Sequence, residues 1–253
     1  MKRRYKLLIG FLITSVFLIA IFLITKDRKI YYISLGDSLA IGQTPYNTIG
    51  KSYGDYVSEY LKDKGVLEFY TKDFSKSGYR SIDILNDLKG NKEINIKGKR
   101  LSLKHALIKA DLVTLSIGAN DLFYKLNIGK EFDLNDFDDI YLYIDESMSD
   151  IDKLLFELRR TCKEEIMVFG FYNPFIRYSS TLANEVEPVI IYANNKMQEL
   201  TNKYNMTYLD MHDTFLANEE YLPKTFEIHP LDLGYRKMAK IIIDSMNEKM
   251  LAK

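Results

Sequence analysis

Five short apolar runs, rich in β-branched and aromatic residues, recur along the chain: IYYISL at 30–35, LEFYTKDF at 67–74, LVTLSI at 112–117, IMVFGF at 166–171 and MTYLDM at 206–211. Most hold apolar residues on consecutive positions, the pattern of strands buried on both faces. Between them lie longer stretches with apolar residues at helical spacing, at 53–64, 144–160 and 186–204. A closing helix is predicted over 234–250, with Met238, Ile241, Ile242 and Met246 on one face. Strands that alternate with helices predict an α/β domain whose parallel sheet is covered on both sides. Residues 122–140 break the rhythm and read as a loop or short helix overhanging the strand ends. Their acidic part, DLNDFDD, lacks the glycine and distal glutamate of a calcium loop and reads as a solvated loop.

A different pattern precedes the first strand. Residues 7–25, LLIGFLITSVFLIAIFLIT, carry no charge. At about 1.5 Å per residue they nearly span a ~30 Å hydrocarbon layer. The run ends in ITKDRK, with no small-residue cleavage site, so it reads as an uncleaved signal anchor; a cleaved signal would make the protein secreted. Lys2, Arg3, Arg4 and Lys6 precede it, and Lys26, Arg28 and Lys29 follow with Asp27, a bias that keeps the N-terminus cytoplasmic and the body outside. The chain therefore divides into an anchor and linker at 1–29 and one domain at 30–253, which shows no internal repeat or Pro/Gly/Ser-rich break.

Charge and cysteine content narrow the chemistry. The whole chain is formally neutral with 35 basic and 35 acidic residues. Setting aside the seven bases and one acid of residues 1–29 leaves 28 and 34, a net of −6 that phosphate backbones would repel, so no nucleic-acid partner is expected. Cys162 is the only cysteine, which excludes an intrachain disulfide and a cysteine metal cluster.

Open parallel sheets bind ligands beyond the carboxyl ends of their strands. The residues just past each predicted strand are therefore informative: Gly36-Asp37-Ser38 after the first, SKSGYRS with Gly78 after the second, Gly118-Ala119-Asn120-Asp121 after the third, Asn173-Pro174 after the fourth, and IHPLDLGY with His229 near the end. Singly, these are turn and capping residues. Together they supply a hydroxyl nucleophile, an imidazole base and N–H donors for an oxyanion, the parts of acyl transfer. No G-x-S-x-G occurs, so the nucleophile elbow of α/β-hydrolases is absent.

GDSLAIG, SGYRSIDIL, LSIGANDL and IHPLDLGYRKMA, in this order across residues 30–250, resemble the four blocks of the SGNH hydrolases, the GDSL esterases and lipases. The resemblance implies a three-layer α/β/α, flavodoxin-like fold with five parallel strands and no required metal or cofactor. It implies Ser38 as nucleophile, His229 as general base, and an oxyanion hole made by the Ser38 backbone N–H, Gly78 and Asn120. The sequence departs from the family at one place. Where an aspartate usually stands three residues before the histidine, this chain has Phe226. Glu227 is the obvious substitute; a backbone carbonyl, leaving a Ser–His dyad, and Asp213 are the other options. Asp37 reads as structural, holding its loop through nearby backbone N–H groups. His105 and His212 read as ordinary surface or packing residues.

The expected function is that of an extracytoplasmic, membrane-anchored serine esterase. Its substrate would be an acyl lipid, a lysophospholipid or a simple acyl ester; the lipid reading fits the anchor and Phe123, Tyr124, Phe132, Phe137, Tyr141 and Tyr143 in 122–143, and deacetylation of a surface sugar fits an outward-facing site equally well. An O-acetyl esterase of a surface polysaccharide is the alternative. A non-catalytic binding module on the same fold is a further one, supported by Phe226 alone.

Overall fold

The structure, a computed structural model, describes residues 29–126 and 139–246. Its centre is a five-stranded sheet of β1 (Ile30–Gly36), β2 (Leu67–Thr71), β5 (Leu112–Ser116), β6 (Glu165–Phe169) and β7 (Thr207–Leu209). The order is β2-β1-β5-β6-β7 and every pairing is parallel. The predicted parallel sheet is therefore present, with strands within a few residues of the apolar runs. The reason is visible in the burial: every residue of β1 and β5, which occupy interior places in the sheet, is buried, whereas the edge strands β2 and β7 are partly exposed.

Two cores flank the sheet. Side chains of β1 alternate between them: Tyr31, Ile33 and Leu35 enter one, Ile30 and Tyr32 the other. The first core is completed by Ser81–Lys89 (α3), Leu103–Lys109 (α4), Ile140–Thr161 (α6) and Ser180–Lys203 (α7). The second is completed by Ser38–Ile41 (α1), Tyr53–Asp63 (α2), His212–Leu216 (α8) and Asp232–Ser245 (α9). Some of the polar atoms this buries are paired across the sheet, as where the Tyr32 hydroxyl meets that of Thr114 at 2.9 Å, while the Ser34 hydroxyl on the same strand is buried without a hydrogen-bond partner among the described residues.

The helices expected over 53–64, 144–160, 186–204 and 234–250 occupy Tyr53–Asp63, Ile140–Thr161, Ser180–Lys203 and Asp232–Ser245. Of the segment expected to form a loop or short helix over 122–140, the described part holds the short helix Ala119–Lys125 (α5) and the start of α6 at Ile140; residues 127–138, with Phe132, Phe137 and nearly all of the acidic stretch, lie outside the described residues. So does the apolar run at 7–25. No helix among the described residues is long and apolar enough to cross a membrane. An antiparallel hairpin, β3 (Glu93–Ile96) and β4 (Lys99–Ser102), is an addition the hydrophobic pattern does not predict.

Candidate active site

The site begins where β1 stops. Gly36 has φ +148°, and a Cβ there would lie 2.2 Å from the Ser116 carbonyl oxygen, so only glycine lets the chain leave the sheet against β5. Asp37 then caps α1: its Oδ1 accepts from the Leu39 N–H at 3.1 Å and from the Ser116 hydroxyl at 3.0 Å. Burial pushes its carboxyl up to about 7, against the opposing pull of those two donors. This is the structural loop-holding place expected for Asp37, with Ser116 added. Ser38 is the first residue of α1, so its N–H has no partner within the helix.

The hydroxyl of Ser38 meets an imidazole brought from 191 residues away. His229 Nε2 lies 2.9 Å from Ser38 Oγ, and both side chains are buried. On the far side of the ring, His229 Nδ1 lies 2.7 Å from Glu227 Oε1. That same oxygen accepts the backbone N–H groups of Ile228 at 2.7 Å and His229 at 3.2 Å. A carboxylate held by two backbone donors cannot swing away, and it favours the tautomer that carries its proton on Nδ1 and leaves Nε2 open to the serine proton. Of the groups considered for this place, Asp213 lies instead against His212, at 2.9 Å from Nδ1. Phe226 points outward, 68% exposed, with its ring stacked on Phe175.

Gly78 and Asn120 arrive from the ends of β2 and β5. Gly78 has φ +80°, and a Cβ built on it would meet nothing within 4 Å, so this corner opens directly outward. Asn120 Nδ2 donates to the Tyr79 carbonyl at 3.0 Å. An amide nitrogen has two hydrogens, so one holds the Gly78 loop while the other remains for a ligand. The neighbouring Asp121 strengthens the same joint. It is buried, and its carboxylate accepts the Ser81 N–H at 3.0 and 3.1 Å and the Ser81 hydroxyl at 2.5 Å. Burial raises its carboxyl while the Ser81 bonds pull it down.

Asp121 is not singled out by the sequence pattern, although its place beside Asn120 in a loop-to-helix turn is a usable signal. The role of His212 is likewise absent from the pattern: its Nε2 lies 2.6 Å from Glu187 Oε1. Glu187 Oε2 accepts in turn from Asn173 Nδ2 at 2.8 Å, which also donates to the Ala183 carbonyl at 2.9 Å. Burial depresses the His212 imidazole, but its two carboxylate partners outweigh this and raise it overall. These bonds pin the segment after β6. His105, by contrast, is an exposed residue of α4.

Among the described aromatic residues of 122–143, Tyr124 and Tyr141 make separate contacts. Tyr124 is capped by the Arg80 guanidinium at 4.0 Å, and Tyr141 meets Tyr192 edge-on at 5.0 Å. Tyr141 and Tyr192, with Pro188 and Ile191, line an open groove of about 490 Å³ that includes none of Ser38, His229, Gly78 and Asn120.

Residues 34–237 match the GDSL-like lipase/acylhydrolase family. No curated protein sequence matches the chain. Among solved structures, a lipase from a goat rumen metagenome is similar at 21% identity, over 87% of this chain and 98% of that one, with a TM-score of 0.66. The acetylxylan esterase Axe2 of Geobacillus stearothermophilus is similar at 15% identity, over 88% and 97%, with a TM-score of 0.60. An extracellular lipase of Streptomyces rimosus is similar at 15% identity, over 85% and 99%, with a TM-score of 0.56. At these identities the neighbours speak for the shared fold. The family match extends from within β1 into α9, and with it the chain belongs to the GDSL-like lipase/acylhydrolases, a family of ester hydrolases.

Proposed function

We propose that the protein is a serine esterase that works through Ser38, His229 and Glu227, with Ser38, Gly78 and Asn120 stabilising the oxyanion. The observation that carries this reading is the continuous relay from Ser38 Oγ to His229 Nε2 at 2.9 Å and from His229 Nδ1 to Glu227 Oε1 at 2.7 Å. Ser38 Oγ attacks the ester carbonyl while Nε2 takes its proton. Charge then develops on the carbonyl oxygen, and the Ser38 and Gly78 N–H groups and the second Asn120 N–H are its assigned donors. The tetrahedral intermediate collapses as His229 returns the proton to the departing alcohol. Water enters in its place, His229 accepts its proton, and the acid leaves with Ser38 restored.

The expectation that this body is held outside the membrane by residues 7–25 forms part of the proposal, supported by the uncharged 19-residue run and its flanking bases. Protease treatment of intact cells should remove the body, and the mass of the purified protein should retain residue 1.

The acyl group can belong to a lipid or a simple ester. A second reading, de-O-acetylation of a polysaccharide, gains support from the exposed aromatic Phe226 beside Glu227 and from the acetylxylan esterase among the similar folds. A purely binding role has Phe226 as its support, and Glu227 beside His229 removes the need for an aspartate there. A fluorophosphonate should label the wild-type protein and fail on Ser38→Ala. Full esterase activity in Ser38→Ala would refute the assignment.

A further inference from the structure

Phe226 sits where an orienting aspartate would stand, and Glu227 does that work from the next position. Position 226 is thereby left to face outward. Its ring is 68% exposed yet not loose: it stacks on Phe175 at a centroid distance of 5.2 Å and 14° between planes, and Tyr178 meets it at 5.7 Å and 66°. The segment that carries the stacked neighbour Phe175 is itself anchored. Phe175 donates its N–H to Asn173 Oδ1 at 3.1 Å, Asn173 is itself tied to Glu187, and Tyr172 on the same segment donates its hydroxyl to the Ile228 carbonyl at 2.5 Å. The result is a braced flat face on the histidine's own loop. The Cα atoms of Phe226 and His229 are three residues apart, at most about 11 Å along the chain.

The side of the site on which this face stands decides what it touches. The acyl oxygen must lie toward Ser38, Gly78 and Asn120. The alcohol must leave toward His229 Nε2, which protonates it. A surface on the His229 loop therefore meets the alcohol part of the ester and not its acyl chain.

We propose that Phe226, supported by Phe175 and Tyr178, is a specificity-determining platform for a pyranose ring carrying the esterified hydroxyl or adjoining it; this rests on the serine-esterase reading above. The C–H face of a pyranose is flat, apolar and slightly positive, and it complements the negative face of a phenyl ring. A flexible hydrocarbon chain gains most from a concave groove that encloses it, which an exposed planar ring does not provide. A lipid surface with anionic headgroups is disfavoured by the body's net charge of −6 over residues 30–253.

The test varies alcohol and acyl group independently, using the full chain. With acetate as the constant acyl group, kcat/KM is measured for an acetylated xylo-oligosaccharide and for ethyl acetate. Wild type should prefer the sugar ester, and Phe226→Ala should lower the ratio of the two by about tenfold, while Phe226→Trp keeps it. The ratio of acetate to octanoate esters of one alcohol should not move. An unchanged sugar ratio in Phe226→Ala, no wild-type preference for the sugar, or a shifted acyl ratio would each overturn the platform. A selective loss on micellar lysophosphatidylcholine would overturn it in favour of a lipid surface. Undiminished hydrolysis by Ser38→Ala would overturn the catalytic reading instead, so the two failures are distinct.

Discussion

Glu227 Oε1 lies 2.7 Å from His229 Nδ1 and also receives the backbone N–H groups of Ile228 and His229. The carboxylate therefore reaches the ring from two residues before it, through a side chain one methylene longer than aspartate's. Three donors on one oxygen fix its position, and with it the imidazole's tautomer.

Replacing that carboxylate by an amide tests the relation directly. Glu227→Gln keeps the shape but can turn its NH2 toward Nδ1, favouring the wrong tautomer. The expected result is a fall in kcat of about 10³–10⁴ with little change in KM. Adding Phe226→Asp should not rescue this variant, because position 226 points outward against Phe175 and Tyr178. Recovery to near wild-type kcat in the double variant would show that the loop holds either residue equally.

The proposed oxyanion donors predict a different kinetic signature. Asn120→Ala removes a hydrogen bond that is strongest in the transition state, so kcat should fall about 10²–10³-fold. Because Asn120 also donates to the Tyr79 carbonyl, a small drop in melting temperature should accompany it. A rise in KM at constant kcat would place Asn120 in ground-state binding.

Much of this architecture is legible in the amino-acid sequence. Consecutive apolar residues announce β1 and β5, because interior parallel strands have no wet face to record in the sequence. Ser38, Gly78, Asn120 and His229 stand out because each follows a strand or ends a loop on the same sheet edge. The hairpin of β3 and β4 is not legible: its strands, EINI and KRLS, are only four residues each, half of those residues are exposed and none is fully buried, and only Lys97-Gly98, both with positive φ, marks its turn. The sequence favours Glu227 over Asp213 by its place beside the histidine, but it does not show whether the carboxylate turns inward to meet the imidazole. That depends on backbone dihedrals in an irregular segment, which carries no periodicity. His212, paired with Glu187 across 25 residues, belongs to the same class of long-range polar contact.

Asp121 and Ser81 form the joint between the segments that carry Gly78 and Asn120. Asp121→Ala would leave the Ser81 N–H and hydroxyl buried without their acceptor, at a cost of about 1–3 kcal/mol for such groups. For a domain of this size that lowers the melting temperature by several degrees. Since the joint orients Gly78 and Asn120, kcat should fall as well. Loss of stability with full kcat would mean that the joint holds the fold without positioning the donors.

The last prediction concerns pH and Asp37. Its carboxyl is raised to about 7 in the folded protein by burial, whereas an aspartate in the unfolded chain ionises near 4. Between those values the folded state keeps a proton that the unfolded state has lost. Unfolding then releases a proton, so Asp37's contribution to stability is full below about pH 4 and is lost as the pH rises through about 7. The slope it adds is at most about 1.4 kcal/mol per pH unit. Asp37→Asn keeps an oxygen to accept from the Leu39 N–H and has no proton to lose in this range. Urea unfolding of the two proteins from pH 4 to pH 8 should therefore show a wild type whose stability declines relative to the variant as pH rises. Parallel curves would mean that Asp37 is ionised throughout, held by the Leu39 and Ser116 donors against the effect of burial.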